Sequence, residues 1–153
     1  MPTRSDLPWE GGCRCGEVRF RISAAPVMET ICHCTGCQRM TGGAFSTTLI
    51  TPAEDFKVTA GEPVEGGLGT SDDASHHHCP RCKSWVFTWL KTMPFVNVRA
   101  TMLDDATWFE PFLETYTSEA LPWAVVDAPR SFPAFPEEGD YMAMMQDYQD
   151  ARG

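Results

Sequence analysis

Cys13-Arg14-Cys15, Cys32-His33-Cys34-Thr35-Gly36-Cys37 and Cys79-Pro80-Arg81-Cys82 hold all seven cysteines of this 153-residue chain. Two cysteines separated by two residues can set both sulfurs about 2.3 Å from one zinc ion, in a tight turn whose amide hydrogens face the thiolates. Cys79 and Cys82 have that spacing. Cys13 and Cys15 are one residue apart, which puts both side chains on one side of a locally extended chain. They need a second pair to close a tetrahedron, and Cys79 with Cys82 is the natural complement, stapling the first strand to a later hairpin. Four cysteine ligands leave no open position, so the site so formed is structural.

The middle cluster has three cysteines, and the chain contains no fourth for it. A zinc ion with three protein ligands keeps a place for water or substrate. Thiolates are soft ligands that favour zinc over magnesium or calcium, and the exchangeable place suits a substrate thiol. The residues leave two other readings of Cys32, Cys34 and Cys37: a closed structural site, or reactive thiols without metal. A closed site would need His33 or one of His76, His77 and His78. The side chain of His33 points away from those of its two neighbours if the segment is extended there. The triple histidine is expected in a solvated loop, with an accessory metal or substrate role as the alternative.

Outside the clusters the signal is β. Val18, Phe20 and Ile22 alternate with Arg19 and Arg21, a strand with one apolar and one basic face. Further strands are expected at 45–50, 55–59, 84–90, 95–100 and 112–117, punctuated by Pro52, Gly61, Pro63, Pro94, Pro111 and Pro122. Helix is expected only after Cys34, near 103–109 and at the C-terminus. The fold class is therefore mainly β, with residues 1–136 as a zinc-binding β domain and 137–153 as an acidic tail. Residues 66–78, GGLGTSDDASHHH, read as a long hairpin or loop and a candidate lid. Residues 129–136, PRSFPAFP, read as an extended strap pinned by Phe132 and Phe135. In the tail, Tyr141, Met144, Met145 and Tyr148 share one helical face, to dock on their own domain or, alternatively, on a second copy in a homodimer.

Twelve Lys and Arg against 21 Asp and Glu give a formal net charge of −9. Seven thiolates on two divalent ions leave the chain more negative still, a field that repels phosphate backbones and argues against nucleic-acid binding. No apolar run approaches a membrane span, and the first residues do not resemble a signal peptide. A cytoplasmic location is expected, where thiols stay reduced and clustered cysteines serve as ligands or catalysts rather than disulfides.

The order GGCRCGEVRF, CHCTGCQRMTGGAF, VTAGEP, HCPRC, VNVRATML and TSEALPW, spread from about Gly11 to Pro136, resembles the glutathione-dependent formaldehyde-activating enzyme family, which includes the centromere-protein-V-like proteins. The resemblance implies an Mss4-like fold of small coiled β-sheets with two zinc sites. Its structural site corresponds to Cys13, Cys15, Cys79 and Cys82, and its catalytic site to Cys32, Cys34 and Cys37. The implied activity is that of a carbon-sulfur lyase on adducts of a small thiol, glutathione, and a small aldehyde, formaldehyde. A non-enzymatic zinc-stabilised module that binds a protein or small thiol is the alternative. The chain departs from the family pattern at Lys83, where many members have glycine, in the segment before Cys79, and at Glu119-Ala120, where a basic residue is frequent. Arg39 is the candidate to hold a glutathione carboxylate, and Trp123 is expected to line the pocket or pack in the core.

Overall fold

The computed structural model describes residues 3–68 and 73–152. Along the chain run β1 (Trp9–Gly12), β2 (Arg19–Ile22), β3 (Met28–Cys32), α1 (Thr35–Thr41), β4 (Ser46–Pro52), β5 (Phe56–Ala60), β6 (Val64–Glu65), β7 (Ala74–His78), β8 (Trp85–Leu90), β9 (Phe95–Arg99), β10 (Leu113–Thr115), β11 (Arg130–Ser131) and α2 (Glu138–Arg152). Eleven strands and two α-helices among the described residues make the fold mainly β, as expected. None of its helices is long and apolar enough to cross a membrane among the described residues. The chain divides into two compact units, one formed by residues up to Pro26 with Leu49–Phe109, the other by Val27–Thr48 with residues from Glu110 onward.

The first unit contains the antiparallel sheet β1-β2-β5 and the strand series β4-β9-β8-β7-β6. The alternation in β2 does what it predicts. Phe20 and Ile22 are fully buried, while Arg19 and Arg21 turn outward to Asp104 and Glu10. Fourteen buried residues, among them Val18, Leu49, Val86, Val96 and Val98, form one continuous core that also takes in Cys13 and Cys79. Gly11 lies against it without a side chain because a Cβ there would strike the Phe20 ring and the Met102 carbonyl.

Two expectations for this unit are corrected. The triple histidine lies in strand β7 (Ala74–His78) rather than in a solvated loop, and the antiparallel pairing of β7 with β6, as well as with β8, makes this stretch the hairpin that is the other reading of 66–78, while residues 69–72 of the candidate lid lie outside the described residues. The polar residues of β7 hide the period-2 signal because they are satisfied inside the sheet. His76 Nε2 lies 3.1 Å from the Leu68 carbonyl, and Nδ1 lies 2.8 Å from Thr88 Oγ1, which accepts the Trp85 indole N–H at 3.0 Å. The carbonyl can only accept, so Nε2 carries the proton and Nδ1 accepts from the threonine. His77 stacks on Phe87 at 4.7 Å. The helix expected near 103–109 is instead a short 3₁₀ turn at Ala100–Met102.

The second unit holds the series β11-β10-β3-β4, in which β10 runs parallel to both β3 and β11. Part of the proline-rich strap is thus strand, and of its two phenylalanines Phe135 is 58% exposed, resting on the Tyr141 ring rather than on a core. Trp123 is also solvent-facing, at 73% exposure, not a core residue.

Helix α2 buries Met144 and Tyr148, two of the residues predicted to share its apolar face. Tyr148 closes over a wholly buried carboxylate. Its hydroxyl donates to Glu29 Oε2 at 2.8 Å, the Arg152 guanidinium reaches the same oxygen at 3.2 Å, and Arg152 also donates to the Glu110 carbonyl. Burying one carboxylate without such partners would cost several kcal/mol. Replacing Tyr148 with Phe leaves that charge short of a donor and is expected to cost about 1.5–3 kcal/mol. Urea denaturation of Tyr148→Phe beside the parent chain measures this as a lowered midpoint.

Candidate metal centres

Strand β1 ends at Gly12, and Cys13 and Cys15 occupy the turn into β2, while Cys79 and Cys82 occupy the turn between β7 and β8. All four sulfurs lie within 4.8 Å of one another, as the spacing argument anticipated. The separations are 3.6 Å for Cys13 to Cys15 and 3.7 Å for Cys15 to Cys79. A disulfide would require about 2.05 Å. Four thiolates each about 2.3 Å from a shared ion stand about 3.8 Å apart along the tetrahedral edges, close to the observed spacing. Backbone amides point at the sulfurs, Val18 to Cys13 at 3.3 Å and Cys82 to Cys79 at 3.5 Å, as they do around thiolates. The residues therefore fit a soft divalent ion.

The second turn is tight. The Lys83 amide donates to the Cys79 carbonyl at 3.0 Å, and Lys83 itself takes the left-handed conformation at φ +64°. A lysine there carries a steric cost that glycine does not.

The other three cysteines gather in the second unit, their sulfurs also within 4.8 Å of one another. Parallel pairing of β3 with β10 sets Cys32 opposite Thr115, and the His33 amide continues the ladder to the Thr115 carbonyl at 3.0 Å. Cys34 then caps α1, its sulfur accepting the Cys37 amide at 3.3 Å. One turn of helix brings Cys37 back over Cys34.

Several polar residues that the sequence reading did not single out hold this loop. Glu119 Oε1 accepts both the amide and the hydroxyl of Thr35 at 3.1 Å, and Gln38 Nε2 donates to the carbonyls of His33 and Glu119 at 2.8 and 2.9 Å. Glu119 is the position noted as a departure from the family pattern, and here it clamps the segment that carries Cys34 and Cys37. His33 is 1% exposed, with Nε2 3.0 Å from Glu114 Oε2 and its ring edge-on to Phe45. Ser131 in turn donates to the other oxygen of Glu114 at 2.8 Å. Neither His33 nor His76, His77 or His78 joins a group of candidate ligands, so no histidine closes the three-cysteine site among the described residues. Arg39 lies exposed in the last turn of α1. The signal for the clamps was the run of hydrogen-bonding residues Thr35, Gln38 and Glu119, but their partners are about 80 residues away in sequence.

Like charges this close cannot all ionise without a cation, so the thiols divide. In the second unit the Cys37 thiol donates to Cys32 and, against the opposing effect of burial, holds it down to about 5. Cys37 is pushed up by that same bond and by burial, and Cys34 is raised by burial and by the Cys32 charge. In the first unit burial opposes ionisation of Cys82, yet the Ser84 hydroxyl and amide outweigh it and lower the thiol to about 5. At Cys15 the Glu17 amide favours the thiolate, but burial and the neighbouring sulfurs prevail and raise it to about 11.

Lys83→Gly is expected to stabilise the chain by about 1 kcal/mol, read as a higher thermal midpoint. After removal of metal by a chelator, Cys82 is expected to react with iodoacetamide at pH 7 about tenfold or more faster than Cys15, since only Cys82 is then thiolate. The Cys82 reaction fades as pH falls through about 5, whereas that of Cys15 rises as pH climbs toward about 11. Mass mapping of the labelled peptides checks both. Reloading with zinc is expected to protect both residues.

With this geometry established, comparison with known proteins places the chain. The sequence model of the glutathione-dependent formaldehyde-activating enzymes matches residues 8–119, a span that includes all seven cysteines. A Halomonas elongata protein that provisionally carries that enzyme name is 34% identical over 86 residues, covering 51% of this chain and 55% of its own. A Colletotrichum graminicola protein with the same provisional name is 25% identical over 128 residues, 78% of this chain and 67% of its own. The chain thus spans little more than half the length of the Halomonas relative. In fold, a crystal structure of a Rhodobacter sphaeroides protein superposes with a TM-score of 0.54 at 17% identity, over 80% of this chain and 98% of that one. With both cysteine groups inside the matched span, the chain belongs to the glutathione-dependent formaldehyde-activating enzyme family.

Proposed function

We propose that this protein is a zinc-dependent carbon-sulfur lyase that joins a small thiol, glutathione or a close relative, to formaldehyde or another small aldehyde, and reverses that addition. The observation that carries this reading is the gathering of Cys32, Cys34 and Cys37, with no further candidate ligand among the described residues, at the junction of β3 and α1 in a chain of this family. Two zinc ions are assigned, one held by Cys13, Cys15, Cys79 and Cys82 and the other by Cys32, Cys34 and Cys37. The first has a complete thiolate set and serves the fold. The second, when bound, supplies a Lewis acid that lowers the pKa of a thiol brought to it.

The chain's own residues do the rest. The Cys37 amide, directed at Cys34 Sγ, stabilises negative charge on that sulfur, and the Glu119–Thr35–Gln38 clamps keep the three sulfurs converged. His33 and Glu114 fix the backbone between Cys32 and Cys34 from the buried side. Arg39, exposed on the helix that carries Cys37, is assigned to a glutathione carboxylate. In the addition, the thiol sulfur bonds to the carbonyl carbon, the carbonyl π bond breaks, and the thiol proton ends on the new hydroxyl oxygen, with no change in oxidation state overall. The chain acts in the cytoplasm under this reading, where glutathione is abundant and thiols remain reduced.

Formation of S-hydroxymethylglutathione from glutathione and formaldehyde, followed by magnetisation-transfer NMR because the uncatalysed reaction is itself fast, tests the proposal. The wild-type chain is expected to raise the exchange rate well above buffer. Cys37→Ala is expected to abolish the gain while keeping the zinc held by the four-cysteine group. Equal rates for wild type, Cys37→Ala and buffer would remove the activity and leave a zinc-stabilised binding module.

A further inference from the structure

Two buried hydroxyls of the second unit stand beside the three-cysteine group. Ser46 opens β4, the neighbour in the sheet of β3, which ends at Cys32. Its side chain is 1% exposed, and its hydroxyl has no nitrogen or oxygen partner among the described residues. A buried hydroxyl ordinarily finds a partner, because nothing else offsets the loss of its water. Thr115, also buried, lies opposite Cys32 in the parallel pairing of β10 with β3, so the two side chains leave the same face of the sheet.

Each hydroxyl bears on one sulfur. At Cys37 the bond to Cys32 and burial keep the proton on, and the Ser46 hydroxyl acts against them. At Cys32 the Cys37 thiol is the leading donor, and the Thr115 hydroxyl adds to it. Ser46 therefore faces a protonated sulfur, which is only a weak acceptor. Thr115 Oγ1 has a second acceptor within reach, the Ile31 carbonyl at a long 3.4 Å, but a charged sulfur is the stronger of the two.

The position of Ser46 acquires a reason when three thiolates share one ion. Ligation requires the Cys37 proton to leave, and the sulfur left beside Ser46 is then a charged acceptor. Cys34 already has a donor in the Cys37 amide at 3.3 Å. With Ser46 on Cys37 and Thr115 on Cys32, every sulfur of the group accepts a hydrogen bond from the chain. Three thiolates outweigh the charge of a divalent ion, and a substrate thiolate adds a fourth negative charge. Hydrogen bonds draw electron density from sulfur and so relieve that excess.

We propose that Ser46 and Thr115 are positioning residues of the three-cysteine site, whose hydroxyls donate to the ligand thiolates of Cys37 and Cys32 and spare the Lewis acidity that an incoming thiol needs. The inference rests on the lyase reading above, from which it takes an ion on Cys32, Cys34 and Cys37. It adds two residues that act through the ligands and do not touch the substrate.

Cobalt(II) is the probe, because its thiolate charge-transfer band reads the electron density on the sulfurs. The full chain is loaded with cobalt, and the spectrum of Cys37→Ala, loaded alike, is subtracted to leave the contribution of the three-cysteine site. Ser46→Ala is expected to move this band to longer wavelength, since a sulfur without its donor gives up an electron more readily. It is also expected to weaken zinc binding at the site about tenfold in competition with a chelator. In the Cys37→Ala background, Ser46→Ala is expected to leave the thermal midpoint unchanged, whereas a merely structural hydroxyl would lower it in both backgrounds. Thr115→Val is expected to shift the band in the same direction and Thr115→Ser to leave it in place, which carries the test if Ser46→Ala does not fold. A Cys37-dependent band that neither Ser46→Ala nor Thr115→Val moves would overturn this inference alone. A band wholly independent of Cys37 would remove the ion from the three-cysteine site, and both readings with it.

Discussion

Thiol sulfurs brought to 3.6–3.7 Å of one another, closer than like charges can share without a cation, are the constraint on which the first unit is built. Cys13 and Cys15 leave β1, while Cys79 and Cys82 leave β7, so the group ties together segments more than 60 residues apart. Two of these cysteines, Cys13 and Cys79, belong to the buried core along with Val18, Phe20 and Val86. Hydrophobic burial and thiol convergence therefore select the same arrangement of the two turns. Each supports the other, as is typical of a sequence whose local and long-range preferences agree.

The three-cysteine group is positioned by different means. Helix α1 has no buried residue, so apolar packing does not set its orientation. Hydrogen bonds do that work: Thr35 and Gln38 bond to Glu119, Gln38 reaches back to the His33 carbonyl, and His33 is anchored to Glu114 from below. Polar clamps at the junction of β3 and α1 hold the backbone fixed while the three sulfurs stay half-buried. That arrangement distinguishes this group from the four-cysteine group, two of whose members, Cys13 and Cys79, pack in the hydrophobic core.

Buried charge follows the same economy elsewhere in the second unit. Glu29 is wholly enclosed, and its carboxylate is met by the Tyr148 hydroxyl and the Arg152 guanidinium from α2. The helix is thus docked by two buried side chains, Met144 and Tyr148, together with an ion pair that neither partner could leave without exposing the other to an uncompensated burial cost.

What the sequence determined by itself is whatever short spacing and simple periodicity encode. Cysteine spacing separated a group of four from a group of three, and alternation located β2, β4, β5, β8, β9 and β10 to within a few residues, because both depend on the local geometry of an extended chain or a tight turn. Strand β7 escaped because the side chains it buries include histidine and serine, polar residues whose burial is tolerable only once Thr88, Phe87 and the Leu68 carbonyl are in place. Strand β11 escaped because its ladder to β10 is made by a proline-rich segment with no alternation to read. The clamps at Glu119 and the anchoring of His33 by Glu114 were decided by tertiary structure alone. Each joins residues that only the completed fold brings together, and no local pattern can record a partner on a distant strand.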